Sequence, residues 1–260
     1  MKKTYLILIG LFTIISCEKS EDNTPPEEIE KFVNIPDATF KDYFLKNAQW
    51  NINQDEEISF SEAENITFID INIPTNSVNR ITNVIGIESF INLTSIKMTF
   101  TNITSIDFSK NQKLSYIYLG SNKIEEIKIT TLPELKEFHA QANSLKNLDL
   151  TGCKKLERID VAGNNLSSLN VKGLTELERL WFYDNKITDI DLSTNSKIYN
   201  IFCYNNNLST LNVSNMTKLE GLSCGQNPNL TTICVYDKAY AENSSNFFKP
   251  DSAQWVDNCP

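Results

Sequence analysis

Apolar residues recur along the middle of the chain with a period of 21 residues, without a gap between copies. Each copy begins with leucine or isoleucine, has a second apolar residue three places later and a third two places after that. An asparagine follows three places later in six of the seven copies, and Thr101 takes that place in the first. The first apolar residues are Leu93, Leu114, Leu135, Leu156, Leu177, Ile198 and Leu219. The asparagines are Asn122, Asn143, Asn164, Asn185, Asn206 and Asn227.

The spacing of the second and third apolar residues predicts a short β-strand in each copy, because side chains two places apart face the same side of a strand. Successive strands would stack in parallel at about 4.8 Å. No single copy can bury its own apolar positions, so the stacked copies share one core. We expect the asparagine amides to be buried, where they satisfy backbone groups as the chain leaves each strand.

This pattern matches the leucine-rich repeat, L-x-x-L-x-L-x-x-N-x-L. The dense Ile and Leu columns and the Asn-rich turns resemble the internalin-like repeats of surface proteins from the Bacteroidota, over roughly residues 31–260. The resemblance implies a mainly β, right-handed leucine-rich-repeat solenoid with a parallel sheet on its concave face and a short helical N-terminal cap. An irregular first repeat precedes the regular ones, with Ile66, Ile69 and Ile71 in its strand.

The N-terminus has the features of an export signal. Lys2 and Lys3 precede an apolar stretch over residues 5–15, which is too short to span a bilayer comfortably. The run Ile14-Ile15-Ser16-Cys17 then resembles the lipobox of bacterial lipoproteins. The resemblance implies cleavage of residues 1–16 and acylation of Cys17, which becomes the first residue of the mature protein. The alternative is a soluble secreted protein in which Cys17 is incidental.

Residues 18–30 are polar, acidic and contain two prolines, which predicts a disordered tether over residues 17–30. An acidic stretch directly after the lipid-bearing cysteine resembles the surface-export signal of lipoproteins in the Bacteroidota. It implies a lipid-anchored outer-membrane protein that faces the cell exterior. The alternative is a spacer in a lipoprotein that faces the periplasm.

The charge of the chain argues against several classes of partner. The formal net charge is −9, from 24 basic and 33 acidic residues. Removal of residues 1–16, which hold two of the lysines and no acidic residue, leaves 22 basic residues and a net charge of −11. Such a surface repels nucleic acids and anionic lipid headgroups. Membrane attachment is therefore expected from the acyl chains.

The segment before the repeats is predicted to form a helical cap. Pro36 and Asp37 are typical of a helix start, and Phe40, Tyr43 and Phe44 fall on one face of the helix that follows. A solenoid exposes its core at its ends, so such a cap is required.

The next segment, residues 51–62, resembles an EF-hand calcium loop. Two departures weaken the resemblance: Asn51 stands where aspartate is usual, and Glu56 stands where glycine is usual. We therefore favour a degenerate, calcium-free loop that serves as a cap, with calcium binding as the alternative. The ligands that the resemblance implies are Asn51, Asn53, Asp55, the carbonyl of Glu57, Ser59 and Glu62.

The C-terminal segment leaves the repeat pattern and is predicted to cap the other end. An exported protein can keep a disulfide, and a Cys234–Cys259 bond would hold the tail over the last repeat. Similar repeat proteins often end in a cysteine-bounded cap. Cys203 and Cys224 are neighbours in one buried column, at a spacing longer than a disulfide prefers, and Cys153 lies in a return segment. We expect these three to be buried free thiols.

Catalytic chemistry is not expected. The single histidine, His139, has Asp160 as its lateral neighbour and Glu137 on the same face, but no serine or cysteine completes a triad, and Tyr118 occupies the opposite place. Phosphate-binding, dinucleotide-binding and nucleophile-elbow motifs are absent from the sequence. We interpret this region as an exposed polar ladder of a protein that is not an enzyme and needs no cofactor.

The outward strand positions predict a binding surface. Trp181, Tyr183, Phe202 and Tyr204 form a square of aromatic residues on adjacent strands. Four large exposed rings exceed what a surface without a partner needs, and Trp, Tyr and Arg dominate binding hot spots. The alternative is that the rings only stabilise the sheet by cross-strand packing. Arg158, Arg179 and Asp160 border the square on one side, and Gly221, Ser223 and Gly225 leave space on the other.

These observations predict a non-enzymatic surface lipoprotein that binds a protein partner at the outer membrane or cell surface, as an adhesin-like protein or an accessory subunit of a membrane complex. The alternative is a glycan-binding lipoprotein of a nutrient-uptake system. The predicted organisation is a signal peptide over residues 1–16, a tether over 17–30, an EF-hand-like cap over 31–65, an irregular first repeat over 66–92, seven repeats over 93–235 and a C-terminal cap over 236–260.

Overall fold

The computed structural model describes residues 32–129, 132–257 and 259. The predicted signal peptide, Cys17 and the tether lie outside these residues. The described helices are α1 (Ala38–Leu45), α2 (Phe60–Ala63) and α3 (Lys238–Asn243), with a 3-10 turn at Ile87–Ser89. None of these helices has the length and apolar character needed to cross a bilayer.

Short parallel strands make up most of the regular structure. The strands are β1 (Phe68–Asn72), β2 (Ser95–Thr99), β3 (Ser105–Asp107), β4 (Tyr116–Tyr118), β5 (Glu126–Lys128), β6 (Glu137–His139), β7 (Arg158–Asp160), β8 (Arg179–Trp181), β9 (Asn200–Phe202), β10 (Thr210–Asn212), β11 (Gly221–Ser223), β12 (Thr232–Cys234), β13 (Phe247–Phe248) and β14 (Gln254–Val256).

One strand from each repeat joins a nine-stranded parallel sheet in the order β1-β2-β4-β6-β7-β8-β9-β11-β13. In-register residues of the regular repeats are 21 places apart, as Ile117, Phe138 and Ile159 show. The return segments form two smaller parallel sheets, β10-β12-β14 and β3-β5. This architecture confirms the predicted leucine-rich-repeat solenoid.

The buried asparagines join each repeat to the one before it. The amide nitrogen of Asn164 donates to the carbonyl of Val161 in its own repeat (3.0 Å) and to that of Ala140 in the preceding repeat (2.9 Å). Its amide oxygen accepts from the backbone N–H of Leu145, also in the preceding repeat (3.0 Å). The same bonds recur at Asn143, Asn185, Asn206 and Asn227. In the first regular repeat Thr101 donates to Asn122 instead.

A left-handed backbone corner precedes the asparagine position in every regular repeat. The residue there has φ between 53° and 63°, a region that disfavours any side chain with a Cβ. Only one of these residues is glycine, so the conformation is imposed by the surrounding hydrogen bonds and packing. The corner residues are Phe100, Ser121, Ala142, Gly163, Asp184, Asn205 and Gln226.

The N-terminal cap contains the predicted helix. Asp37 caps α1 by accepting from the backbone N–H groups of Thr39 and Phe40, and Phe40 and Phe44 are buried. The second carboxylate oxygen of Asp37 accepts from the N–H and hydroxyl of Thr82, which ties the helix to the irregular repeat. The cap therefore covers the exposed end of the core, as the sequence predicts.

The EF-hand-like loop is closed by its own side chains. The Glu62 carboxylate accepts from the N–H of Ile52 (2.7 Å) and of Ser59 (2.9 Å). In turn, the N–H of Glu62 donates to the hydroxyl of Ser59, which completes a capping box at α2. Asp55 accepts from the N–H of Glu57 (2.8 Å) and from the Asn53 amide (2.8 Å). Most of the oxygens that the resemblance implies as ligands are thus engaged within the chain.

Two further features of this loop bear on calcium binding. The Asn51 amide nitrogen donates to the carbonyl of Asp55 (2.8 Å), while its oxygen is buried without a hydrogen-bond partner. The left-handed residue of the loop is Gln54, at φ 58°, rather than Glu56, so the glycine position of the EF-hand pattern does not adopt a left-handed conformation here. Because the carboxylates of Asp55 and Glu62 already accept hydrogen bonds within the loop, the loop does not present the six or more oxygen ligands that calcium needs and does not fit the ion in this arrangement.

The C-terminal cap extends the solenoid rather than only covering it. β13 joins the nine-stranded sheet beside β11, and β14 joins β12 in a return sheet. A helix, α3, precedes β13 and was not expected from the sequence. The disulfide between Cys234 and Cys259 is present, with a Cα–Cα distance of 6.1 Å. Its 25-residue separation closes a loop worth about 3 kcal/mol in chain entropy.

The remaining described cysteines are buried free thiols, as predicted. A hydrogen bond with Cys224 and burial raise the pKa of the Cys203 thiol well above its usual value. Burial also raises the pKa of the Cys153 thiol to about 11. The thiols of Cys153 and Cys203 are therefore protonated at neutral pH and pack as small apolar side chains.

We expect Asn164→Ala to lower the free energy of unfolding by about 1–3 kcal/mol, because it leaves the N–H of Leu145 buried without its partner and removes one of the two amide hydrogen bonds to each of the carbonyls of Ala140 and Val161. Urea denaturation followed by circular dichroism measures the change. Asn165→Ala is the matched control, since the backbone bond from its N–H to the carbonyl of Leu145 is retained. Equal losses in the two variants would contradict a special role for the asparagine column.

We also expect the loop over residues 51–62 to bind calcium no tighter than the millimolar range, since Glu62 is engaged by backbone N–H groups. Calorimetric titration of the purified protein with calcium checks this, and a micromolar dissociation constant would contradict it. Glu62→Gln should lower the melting temperature equally with calcium and with chelator. Glu64→Gln, an exposed neighbour in the same cap, should change it little.

Candidate binding surface

The structure brings the four predicted aromatic residues together on the outer face of the nine-stranded sheet, opposite the core. Trp181 and Phe202 are in-register partners of β8 and β9, with ring centroids 5.5 Å apart and planes within 13° of parallel. Tyr183 and Tyr204 follow two places later, so they project from the same face. Their rings stack at 4.5 Å and 12°. We call these four residues the aromatic square.

The rings of the aromatic square are half-buried rather than fully exposed, which corrects the expectation of four exposed rings. Each ring covers one face of its partner, because neighbouring strands hold in-register side chains at stacking distance. Trp181 is fixed further by a hydrogen bond from its indole N–H to the side-chain oxygen of Asn200 (2.6 Å). The surface is therefore rigid and presents ring edges and the two outward faces of the stacks.

Asp160 does not have the exposed position that the strand pattern predicts. Its side chain is buried, with 6% of the residue exposed, and accepts a hydrogen bond from the N–H of Ala162 (3.1 Å). Burial raises the pKa of its carboxyl group, and the hydrogen bond from the N–H of Ala162 only partly offsets this. The neighbouring Trp181 and His139 are larger side chains in the same row and shield it. Asp160 therefore lies beneath the exposed side chains of this face and contributes to its structure rather than to contact with a partner.

The two arginines that border the square are held by neighbouring side chains. Arg158 pairs with Glu137 at 2.8 Å, and its Nε atom is buried without a hydrogen-bond partner. Arg179 donates from Nε to the hydroxyl of Tyr199, and its guanidinium lies over that ring at 5.1 Å from the centroid. Both are half-buried and keep further N–H groups for a partner.

The region around His139 is packed rather than an exposed ladder. The His139 side chain is only 16% exposed, and its Nε2 atom lies 3.4 Å from the carboxylate of Glu137. Its ring lies beside those of Tyr116 and Tyr118 on the neighbouring strand, at centroid distances of 5.9 and 5.6 Å. Its in-register neighbour Asp160 bonds to Ala162 instead, so the elements of a catalytic triad are not brought together.

Candidate metal ligands are not assembled on this surface. Over residues 32–129, 132–257 and 259, no group of three or more His, Cys, Asp or Glu side chains is arranged to hold a metal ion. The residues of the EF-hand-like loop lie in the N-terminal cap before β1, whereas the aromatic square is on β8 and β9.

Three residues of this face could not be assigned from the repeat pattern. Tyr199 and Asn200 contact Arg179 and Trp181, and nothing in their spacing distinguishes them from other solvent-facing residues. Phe248 lies in β13, in register with Ser223, and is 59% exposed. It belongs to the non-repeating tail, so the 21-residue period gives no signal for its place in the sheet.

Comparisons with known proteins support the fold. No known family and no curated protein sequence matches the chain. Internalin C2 from Listeria monocytogenes is a similar solved structure, with a TM-score of 0.62 and 17% identity over 85% of this chain and 94% of that one. The functional domain of InlJ from the same organism, which includes a cysteine ladder, has a TM-score of 0.51 and 23% identity.

The match to InlJ covers 83% of this chain but spans 61% of the length of that structure. At these identities the likeness concerns the fold alone. The described chain has an internalin-like leucine-rich-repeat fold.

Proposed function

We propose that this chain is a non-enzymatic surface protein that binds a protein partner through the aromatic square, in the manner of an adhesin or an accessory subunit of an outer-membrane complex. The observation that carries the proposal is the pair of ring stacks on β8 and β9, which stand on an open sheet face beside two arginines. Aromatic and arginine side chains contribute most of the binding free energy at protein interfaces.

Glycan binding is the alternative function, and the orientation of the rings favours a protein. Sugar rings stack on open aromatic faces, but each ring of the aromatic square has one face covered by its stacking partner, which halves the open face that a sugar could use. Fixed, half-buried rings with exposed edges are suited to close packing against a shaped protein surface. Their rigidity also limits the side-chain entropy lost on binding.

The proposal includes anchoring at the outer membrane, facing the cell exterior, through acyl chains on Cys17. Its support is the run Ile14-Ile15-Ser16-Cys17 and the acidic segment that follows. Several acyl chains hold a protein on a membrane far more firmly than a single chain does. Because the net charge is negative, anionic lipid headgroups repel the protein, and the acyl chains supply its attraction to the membrane.

Cys17→Ala should release the protein into the soluble fraction, because the acyl chains supply most of its affinity for the membrane. Fractionation of the native host after a high-salt wash measures this. Cys153→Ala, which removes a buried thiol, is the control and should stay with the membrane. A Cys17→Ala protein that still sediments with the outer membrane would show that the anchor lies elsewhere.

The partner-binding role is tested by photo-cross-linking on intact cells, with benzoylphenylalanine at Asn205 beside the square or at Lys146 on a return segment. The corner that Asn205 occupies holds a phenylalanine, Phe100, in the first repeat, so an aromatic group is tolerated there. We expect a discrete cross-linked protein from position 205 and none from position 146. Cross-linking that is equal from both positions would contradict the proposal.

Trp181→Ala combined with Phe202→Ala should reduce that cross-linking at least tenfold, since each ring contributes on the order of 2 kcal/mol to binding at a hot spot. Loss of the stack should lower the free energy of unfolding by about 1–3 kcal/mol, which thermal melting measures. Ser95→Ala with Lys97→Ala, on the same face in β2, is the matched control. If the aromatic variant is folded and cross-links normally, the partner uses another surface.

A further inference from the structure

A gap interrupts the row of rings on the outer face of the sheet. The in-register row runs from Trp181 through Phe202 and Ser223 to Phe248. Trp181 stacks on Phe202, but the next strand, β11, carries only Ser223 at that place, and Phe248 stands on the strand beyond. We call the space above Ser223, between Phe202 and Phe248, the ring gap.

The ring gap has the width of one flat ring. Adjacent strands are about 4.8 Å apart, so the backbones that carry Phe202 and Phe248 are roughly 9.6 Å apart. Two stacking contacts of about 3.5–4 Å each fit within that distance. Trp181 and Phe202 already stack with ring centroids 5.5 Å apart, and Tyr183 and Tyr204 with centroids 4.5 Å apart. An inserted ring would continue the same arrangement.

The floor of the ring gap lacks side chains that would fill it. Gly221, Ser223 and Gly225 are the outward residues of β11 and its extension. A Cβ atom added at Gly225 would meet no heavy atom within 4 Å, so the space above it is open. Phe248, at 59% exposed, leaves one wall accessible from solvent.

Two uncharged polar side chains, those of Asn200 and Ser223, line the ring gap. A Cβ atom added at Gly221 would lie 2.5 Å from the side-chain nitrogen of Asn200, so this amide extends over Gly221. Its oxygen accepts from the indole of Trp181, which turns the N–H₂ group toward β11. The Ser223 hydroxyl lies on the floor. These two side chains suit an aromatic ring with one polar group better than a sugar ring, whose several hydroxyl groups each need a hydrogen-bond partner.

We propose that the ring gap is a specificity pocket that receives one aromatic side chain, with tyrosine as the best fit, from a protein partner. The inserted ring stacks between Phe202 and Phe248, and its hydroxyl exchanges hydrogen bonds with Ser223 or Asn200. This inference rests on the proposed protein-binding function and specifies which part of the partner the surface recognises.

The test uses N-acetyl-L-tyrosinamide as an uncharged probe, titrated into ¹⁵N-labelled protein and followed by NMR. We expect saturable millimolar binding, with the largest shifts at Ser223, Gly225 and Phe248. N-acetyl-L-leucinamide and methyl β-D-glucopyranoside should bind at least tenfold more weakly. Equal binding of the leucine amide, or tighter binding of the glucoside at the same residues, would overturn the proposal, the latter in favour of a glycan site.

Gly225→Leu places a side chain in the open space and should weaken probe binding at least tenfold, while the rings stay in place. Ser95→Leu adds the same side chain to the same face on β2 and should change nothing. Phe248→Ala removes one wall and supplies a second variant in case Gly225→Leu is unstable. Unchanged probe binding in both Gly225→Leu and Phe248→Ala would show that the gap is not the site.

The cross-linking experiment separates this inference from the proposed function. If Gly225→Leu preserves cross-linking of the partner from position 205, the face binds a partner but the ring gap does not receive its side chain. If the tyrosine probe binds in the ring gap but no protein is cross-linked, the pocket exists and the proposed partner-binding role is wrong.

Discussion

The structure depends on the buried asparagine amide that six of the seven regular repeats share with the repeat before them. Because the Asn164 amide nitrogen donates to carbonyls in two repeats and its oxygen accepts from the earlier one, it fixes the offset between them. A buried amide that makes all these hydrogen bonds stabilises the fold. If one repeat shifted by a single residue relative to the next, several buried polar groups would lose their partners. The 21-residue offset therefore follows from hydrogen bonding as well as from the apolar columns.

That offset determines the outer face. In-register parallel strands place equivalent outward residues side by side, so similar residues in neighbouring repeats stack on each other. Trp181 meets Phe202, and Tyr183 meets Tyr204, for this reason. The same geometry buries Asp160 between larger neighbours, and it leaves space wherever a repeat carries only small residues. The rings that stabilise the sheet by stacking are thus the same rings that we propose to bind a partner, and their mutual stacking is why the aromatic square is half-buried.

The sequence was sufficient to predict the features that recur from repeat to repeat or that depend on a local pattern. The strand positions, the buried asparagine column, the cap helix around Phe40 and Phe44, the free thiols and the composition of the aromatic square all follow from the period of 21 or from local patterns. Features that depend on contacts with residues elsewhere in the fold could not be predicted from the sequence. The burial of Asp160 depends on side chains from other repeats, the pairing of β13 with β11 lies outside the period, and the left-handed residue of the N-terminal loop is Gln54 rather than Glu56.

The two ends of the nine-stranded sheet have a consequence for self-association. A parallel solenoid that exposed its terminal strands could add a second copy head to tail, and such contacts generate open filaments because they do not close. Here the hydroxyl of Tyr43 in the cap helix accepts from the N–H of Asp70 on the first strand. At the other end, β13 contributes only two residues to the edge. Both ends are therefore poor templates for polymerisation, which would suit the proposed surface protein, where identical copies lie side by side.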